Sequence, residues 1–344
     1  METACEAVMD ELLQGMRAAA EPTRLRILAL CAHAELTVSE LVRILGQSQP
    51  RVSRHLKLMV EAGLLSRYQE GNWARYRLAD GGASSDRAAR RQAAVGRFAE
   101  AVIDLLPEDD RTIARDLERL EAVKAERERA AQDYFARNAA QWDRIRALHV
   151  DETEVNQALV RAFADQDGGR SIGRFLDIGT GTGRVVELLG PRADKAIGVD
   201  QSSAMLSVAR AAVDRAHLKH CQVRQADMYQ LPFPDDAFDS ACIHMVLHYA
   251  EDPGRALEEA ARVLAPGGRL VVIDFEAHNL AELRAEHQHR WPGFAAQDVS
   301  RWLEGAGLAA RPVEKLEGGP LTVCLWAGEK PAAAGAGSLR AVNA

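Results

Sequence analysis

The stretch Phe175-Leu-Asp-Ile-Gly-Thr-Gly-Thr-Gly183 decides the fold of this 344-residue chain. It overlaps Arg174-Phe-Leu-Asp-Ile178, a short apolar run of the kind a buried parallel strand presents. Behind it, Arg184-Val-Val-Glu-Leu-Leu189 reads as a helix with its apolar face turned inward. Between the two, Gly179, Gly181 and Gly183 permit a tight turn and a close approach of backbone to ligand. Strand, turn and helix in that order begin a doubly wound α/β sheet, whose ligands sit beyond the carboxyl ends of the strands. A dinucleotide fold would show G-x-G-x-x-G, but position 184 is Arg and the third glycine falls one residue early.

Working outward, Ala196-Ile-Gly-Val-Asp200 is a second strand ending in a carboxylate, near the distance at which such a group reaches a ribose hydroxyl pair. Arg224-Gln-Ala-Asp-Met228 follows, then Leu231-Pro-Phe-Pro-Asp-Asp-Ala-Phe-Asp239 leading into Ser240-Ala-Cys-Ile-His244, then Leu264-Ala-Pro-Gly-Gly-Arg-Leu270 before Leu270-Val-Val-Ile-Asp274. This order, with Asp-x-Gly-x-Gly-x-Gly at its head, resembles the class I S-adenosylmethionine (SAM) methyltransferases over roughly residues 134–328. The resemblance implies a Rossmann-like, seven-stranded fold holding SAM or S-adenosylhomocysteine (SAH). Its cofactor residues here would be Asp177, Gly179, Thr180, Gly181, Thr182 and Gly183 on the turn, with Asp200 and Gln201 at the ribose. Asp227 and the Met228 backbone would meet the adenine, and His244 the methyl end. Tyr134, in Tyr134-Phe-Ala-Arg-Asn-Ala-Ala-Gln-Trp-Asp143, matches a segment that covers the cofactor in many small-molecule methyltransferases.

The first third of the chain has a different grammar. Leu36-Thr-Val-Ser-Glu-Leu-Val-Arg-Ile-Leu45 reads as a short amphipathic helix, Gly46-Gln-Ser48 as a tight turn, and Gln49–Glu61 as a second helix. Ser48 stands where an N-cap belongs and Pro50 where the first helical turn tolerates proline. Val52, Leu56 and Met59 share the inner face of that helix. Gln49, Arg51, Ser53, Arg54 and Lys57 share the outer one, a donor-rich surface suited to base edges and phosphates. Gly63–Leu78 then alternates as two strands about Gly71-Asn72, a hairpin carrying Arg67 and Arg75. This stretch resembles the winged-helix domain of the ArsR/SmtB repressors over roughly residues 8–80, with Ser48-Gln-Pro-Arg-Val-Ser-Arg-His-Leu56 as its recognition sequence. The resemblance implies DNA contacts from Ser48, Gln49, Arg51, Ser53, Arg54, His55, Lys57, Arg67 and Arg75 on double-stranded operator DNA. Arsenic-sensing members carry two cysteines in the segment matching Glu35–Leu41; here Thr37 and Ser39 stand there, and hydroxyls are poor ligands for soft metals.

Charge distribution agrees with this division. The whole chain is acidic at −7, yet residues 41–80 hold seven basic side chains against three acidic ones, the local balance that phosphate contact requires. Five cysteines without C-x-x-C spacing suit a reducing cytoplasm, and no apolar run approaches membrane-spanning length. Met1-Glu-Thr-Ala-Cys5 is not a signal peptide. Gly81–Ser85 reads as a hinge. Two helices are expected after it, Ala88–Leu106 and Thr112–Arg129, the first matching a helix that builds the dimer in ArsR-like proteins. The expected organisation is therefore 1–82 winged helix, 83–133 helical linker and homodimer element, 134–330 methyltransferase domain, and 331–344 disordered tail.

His244 and His248 lie at i, i+4 after the fourth strand, a spacing that metal pairs use. The resemblance makes them pocket lining instead, and no metal is expected. His248 is the candidate acid–base residue, since an imidazole titrates near neutrality, with a hydrogen-bonding wall as its plainer role. His287 and His289 stand either over the acceptor or on a solvated helix. Two functions follow: a SAM- or SAH-sensing regulator, or an active methyltransferase whose winged helix controls its own operon.

Overall fold

Thr37 and Glu40 set the start of the helix-turn-helix. The Thr37 hydroxyl accepts from the Glu40 amide at 3.3 Å, and the Glu40 carboxylate accepts from the Thr37 amide at 2.8 Å. This reciprocal capping box starts the helix at Val38 rather than Leu36. Leu36 and Thr37 are thereby left extended, and they pair with Tyr76 and Arg75 as a short strand. The computed structural model describes residues 2–70, 73–79, 87–107, 109–146, 151–164, 171–278, 290–317 and 321–332; side chains within 2–8, 87–93 and 131–146 lie outside that description. The chain divides into two units, Met1–Arg129 and Ala130–Ala344.

In the first unit the elements run α1 (Glu2–Ala19), α2 (Pro22–His33), β1 (Leu36–Thr37), α3 (Val38–Leu45), α4 (Gln49–Glu61), β2 (Leu65–Glu70), β3 (Trp73–Leu78), α5 (Arg87–Asp104) and the start of α6 (Arg111–Arg146). The three strands form an antiparallel sheet in the order β1-β3-β2. α3 stops at Gly46, whose φ of +66° is the left-handed conformation that ends helices. Ser48 occupies the N-cap position of α4 but its side chain makes no capping hydrogen bond, so Pro50 is the stronger local start signal. Ile27, Leu28, Leu41, Ile44, Val52, Leu56 and Met59 are buried together as the core.

α6 belongs to this core as well. Leu120 and Val123 are buried in it, and Asp116, 1% exposed, receives the Arg26 guanidinium through Nε at 2.5 Å and Nη2 at 2.8 Å. Arg119 donates to the Ile44 carbonyl at 2.7 Å, and Arg127 to the Glu35 carbonyl at 2.7 Å and the Glu40 carboxylate at 2.9 Å. Burial alone would raise the Glu40 carboxyl, but the Arg127 charge and the Thr37 amide hold it below the usual value. The helix runs past the expected Arg129 to Arg146 because nothing between, neither glycine nor proline, breaks it. α5 buries Val95 and Ala99 and packs on α1, along which Met9, Leu13 and Met16 are exposed at i, i+4 and i+7.

The second unit contains α7 (Glu152–Phe163), β4 (Arg174–Ile178), α8 (Arg184–Leu189), β5 (Lys195–Asp200), α9 (Ser203–Arg215), β6 (Cys221–Gln225), β7 (Phe238–His244), α10 (Pro253–Val263), β8 (Leu264–Phe275), α11 (Ala296–Gly305), β9 (Ala309–Ala310), β10 (Glu314–Leu316) and β11 (Val323–Glu329). The sheet order is β10-β11-β8-β7-β4-β5-β6, with the two-residue β9 on β11 as an eighth strand beyond the expected seven. β4 to β8 are parallel and β11 is antiparallel to β8. The strand order reverses at β4, between β5 and β7, so a crevice opens at its carboxyl end. Side chains alternate about the sheet into two cores. Phe175, Val185, Leu206 and Val271 fill one face, while Leu176, Ile178, Leu257 and Trp326 fill the other. Pro266, Gly267 and Gly268 fall in the register break between the Phe238–Leu264 and Ser240–Arg269 pairs of β7 and β8.

Cys31, Cys221, Cys242 and Cys324 are buried cysteines outside any disulfide, and burial pushes Cys31 up to about 12 and Cys324 to about 11. Among the described residues no helix is long and apolar enough to cross a membrane. The Gly71-Asn72 turn, the Gly81–Ser85 hinge, His287, His289 and most of the tail lie outside the described residues.

Candidate functional site

The glycine turn is stitched to the neighbouring strand before any ligand is considered. The amides of Gly179 and Thr180 both donate to the Val199 carbonyl at 2.8 Å. The Gly181 amide donates to Asp200 Oδ2 at 2.9 Å, and the Ser202 amide to Asp200 Oδ1 at 2.8 Å. A carboxylate has about four lone-pair sites, so Asp200 keeps capacity for two hydroxyls after these bonds. Gly181 has φ +52°, and a Cβ built on it meets nothing within 4 Å; the turn there faces open space. Gly183, at φ +83°, faces the opposite constraint: a Cβ would stand 2.9 Å from the Ala209 Cα in α9. Gly183→Ala is therefore expected to cost about 2 kcal/mol through overpacking and left-handed strain, measured by urea denaturation. Wild-type stability in that variant would mean α9 yields freely.

Asp177 is the unusual group. It is 1% exposed, and neither carboxylate oxygen has a hydrogen-bond partner among the described residues. Burial pushes its carboxyl up to about 7; the nearby Thr180 hydroxyl, outside bonding geometry, opposes this, and the Asp200 charge adds to it. A buried acid with no partner is costly unless a ligand or water completes it. The next residues in the chain, Ile178 and Gly179, line a cavity of about 460 Å³. Its lining includes Gly179, Asp200, Gln201, Asp227 and Met228 together with Tyr229, Val246, Tyr249, Glu251 and Arg290. Orphaned carboxyl, open glycine turn and an acidic rim fit an adenosyl cofactor with a cationic amino-acid end.

Five of the twelve sequence-predicted cofactor residues line the cavity. Gly179, Asp200, Gln201, Asp227 and Met228 wall the cavity together. Asp177 lies in β4, and Thr180, Gly181, Thr182 and Gly183 lie in the turn after it; none of these five lines the cavity. His244 is half-buried at the end of β7 and is not a wall. Tyr134 lies within α6, and its side chain is outside the described residues. His248 is 3% exposed: its Nδ1 lies 2.8 Å from Asp274 Oδ1 and its amide donates to Asp274 Oδ2 at 3.1 Å. The His248 carbonyl accepts from the amides of Arg290 and Trp291, and its ring lies 4.1 Å from that of Tyr249. It thus braces part of the cavity lining. Burial and the Asp274 charge raise the Tyr249 phenol.

Tyr249, at the end of the Ile243–Tyr249 segment expected to face the acceptor, lines the cavity, and so do Tyr229, Glu251 and Arg290, which were not among the candidate residues. Tyr229 had a weak signal, two residues past Asp227; its hydroxyl accepts from the Glu251 and Asp252 amides at 2.6 and 3.1 Å. Arg290 had none of its own.

On the first unit, Ser48, Gln49, Arg51, Ser53, Arg54 and Lys57 are exposed along α4 or at its start, and Arg67 is exposed on β2. His55 is turned toward Glu21 at 3.9 Å, with burial holding its imidazole below the ordinary value against the pull of Glu21. Arg75 is half-buried, and its Nε and Nη2 reach the buried Glu70 at 2.9 and 3.1 Å.

Comparison with known proteins gives the same division. The family profile described as "Bacterial regulatory protein, arsR family" matches residues 21–67, and that described as "Methyltransferase domain" matches residues 176–272. A demethylmenaquinone methyltransferase of Clavibacter sepedonicus is 32% identical over 206 residues, covering 51% of this chain and 79% of that protein. A demethylmenaquinone methyltransferase of Thermus thermophilus is 44% identical over 106 residues, 30% of this chain and 47% of that protein. The chain thus spans about half the length of this last relative. Among solved structures, the YcgJ protein of Bacillus subtilis is 20% identical with a TM-score of 0.47, covering 53% of this chain and all of that one. The chain belongs to the methyltransferase-domain family, and carries ahead of that domain a helix-turn-helix of the arsR family of bacterial regulatory proteins.

Proposed function

We propose that the protein is a DNA-binding regulator whose methyltransferase domain binds SAM or SAH and couples that metabolite to operator affinity. The observation that carries this reading is the buried, unpartnered Asp177 carboxyl beneath an open glycine turn, in a chain that also presents a helix-turn-helix. Asp200 and Gln201 would hold the ribose, Asp227 and the Met228 backbone the adenine, and the turn of Gly179, Thr180, Gly181, Thr182 and Gly183 the amino-acid end. Gln49, Arg51, Ser53, Arg54 and Lys57 would read the major groove, with Arg67 on a phosphate. The exposed Met9, Leu13 and Met16 stripe beside α5 supports a homodimer, as paired half-sites require. A ligand shifts such a system only by its differential affinity for the two states.

The test is a gel shift on the protein's own upstream duplex, titrated with SAM and separately with SAH. Release by one at micromolar levels supports sensing. Firm binding indifferent to both overturns it. Within that assay Arg54→Ala should weaken operator binding at least tenfold and relax sequence preference, with SAH affinity unchanged. An unaltered operator affinity would remove α4 from the interface.

A second reading, active methyl transfer, is favoured by the further wall residues Tyr229, Tyr249 and Arg290, in addition to those assigned to the adenosyl group. Bound SAM would supply an electrophilic methyl group on its sulfonium. The wall would orient an acceptor in line with it and exclude water, which is most of what this chemistry asks of a protein. His248, braced by Asp274 and 3% exposed, would act by holding Tyr249 and Arg290 in place. The demethylmenaquinone methyltransferase relatives make a quinol-like acceptor the first to try.

A further inference from the structure

α3 is gripped at both ends by one stripe of α6. At its start, Arg127 donates to Glu40 Oε1 through Nε at 3.1 Å and Nη2 at 2.9 Å, and to the Glu35 carbonyl at 2.7 Å. At its end, Arg119 donates to the Ile44 carbonyl at 2.7 Å. One turn earlier on α6, Asp116 takes the Arg26 guanidinium, which also reaches the Leu45 carbonyl at 3.4 Å. Asp116, Leu120, Val123 and Arg127 recur at spacings of four, three and four, with Arg119 four residues before Val123, so they share one face of the helix.

This grip is placed where it sets the DNA-reading helix. The last carbonyls of a helix lack intrahelical donors, and here Arg119 and Arg26 supply them from other elements. α3 and α4 pack on each other and are joined only by Gly46, Gln47 and Ser48. Three residues give little slack, and a packed core transmits displacement rather than absorbing it. α6 itself continues as helix to Arg146, beyond Arg129 where the first unit ends.

We infer that α6 is the element that sets operator affinity, through a latch in which Arg127 and Arg119 fix both ends of α3 and so fix α4. This rests on the regulator reading above. A force on α6 moves α3 and α4 as one body while the latch holds. With the latch cut, α3 and α4 still pack on each other, and the pair is held by α1, α2 and the hairpin without the α6 clamp.

The experiment measures operator affinity by fluorescence anisotropy on the upstream duplex, SAH affinity by calorimetry, and helix content by circular dichroism. Wild type is compared with Arg127→Met, Arg119→Met, Glu40→Gln and the charge exchange Glu40→Arg with Arg127→Glu. Expected are a tenfold or greater loss of operator affinity in Arg127→Met and Arg119→Met, wild-type SAH affinity in both, and partial recovery in the charge exchange. Amide exchange in α3 and α4 should rise in the same variants. Native helix content with operator affinity within twofold of wild type overturns the latch. Should Arg127→Met fail to fold, Arg119→Met and Glu40→Gln decide the matter by the same criterion. A wild type indifferent to SAM and SAH overturns the sensor reading alone, because the latch is judged on the variants' operator affinity.

Discussion

Asp177→Asn is expected to make the ligand-free protein more stable above neutral pH and to abolish most of its adenosyl-ligand binding. In an unfolded chain the carboxyl would titrate near its model value of 3.8, while in the fold burial holds it up to about 7. The folded state therefore keeps a proton that the unfolded state has lost, and between about pH 4 and 7 stability falls as pH rises. Above that window the penalty is complete, on the order of 4 kcal/mol from a shift of this size. An isosteric amide has no charge to desolvate. Denaturant unfolding without ligand should show wild type and variant nearly equal at pH 4.5 and the variant more stable at pH 8. The same variant should bind SAH at least a hundredfold more weakly, since the carboxylate is the partner for a ligand's ammonium group. A variant that gains no stability at pH 8, or that binds SAH like wild type, contradicts the account of Asp177.

The second large effect concerns the first unit. Asp116→Ala should destabilise it by about 3–5 kcal/mol, because removing one member of a buried pair leaves the Arg26 guanidinium with little compensation. The partner experiment separates packing from charge: replacing Asp116 by Leu together with Arg26 by Met restores most of the loss if the cost lies in the unpaired ion. Urea unfolding followed at a helix signal measures both. An Asp116→Ala loss below 1 kcal/mol would mean that water reaches the pair.

Much of this architecture could be read from the chain. The Arg174–Ile178 strand and the Arg184–Leu189 helix lie where the sequence placed them, because an apolar run broken by three glycines admits few conformations. α4 was equally legible from the alternation of Val52, Leu56 and Met59 with exposed donors. What escaped was non-local. Leu36 and Thr37 continue a helical pattern, but pairing with Tyr76 and Arg75 makes them a strand. Arg75 reads as a free cation until Glu70, five residues away, is folded against it. His248 reads as a cavity group, and only the ladder between β7 and β8 brings Asp274 beneath it. Arg290 lines the cavity, while the reading of its stretch turns on His287 and His289, because a lone Arg at the end of a charged stretch reads as a solvated cation.

The four buried thiols carry a practical consequence. A thiol reacts as its thiolate, and Cys31, Cys242 and Cys324 are both sequestered and held well above the ordinary thiol range. Alkylation of these positions must wait for the surrounding structure to open, so the labelling rate becomes a clock for unfolding. Cys31 sits in the first unit and the other two in the second, which gives each unit its own timer within one chain. Mass spectrometry of a timed alkylation would then read two opening rates from a single tube, with no engineered reporter.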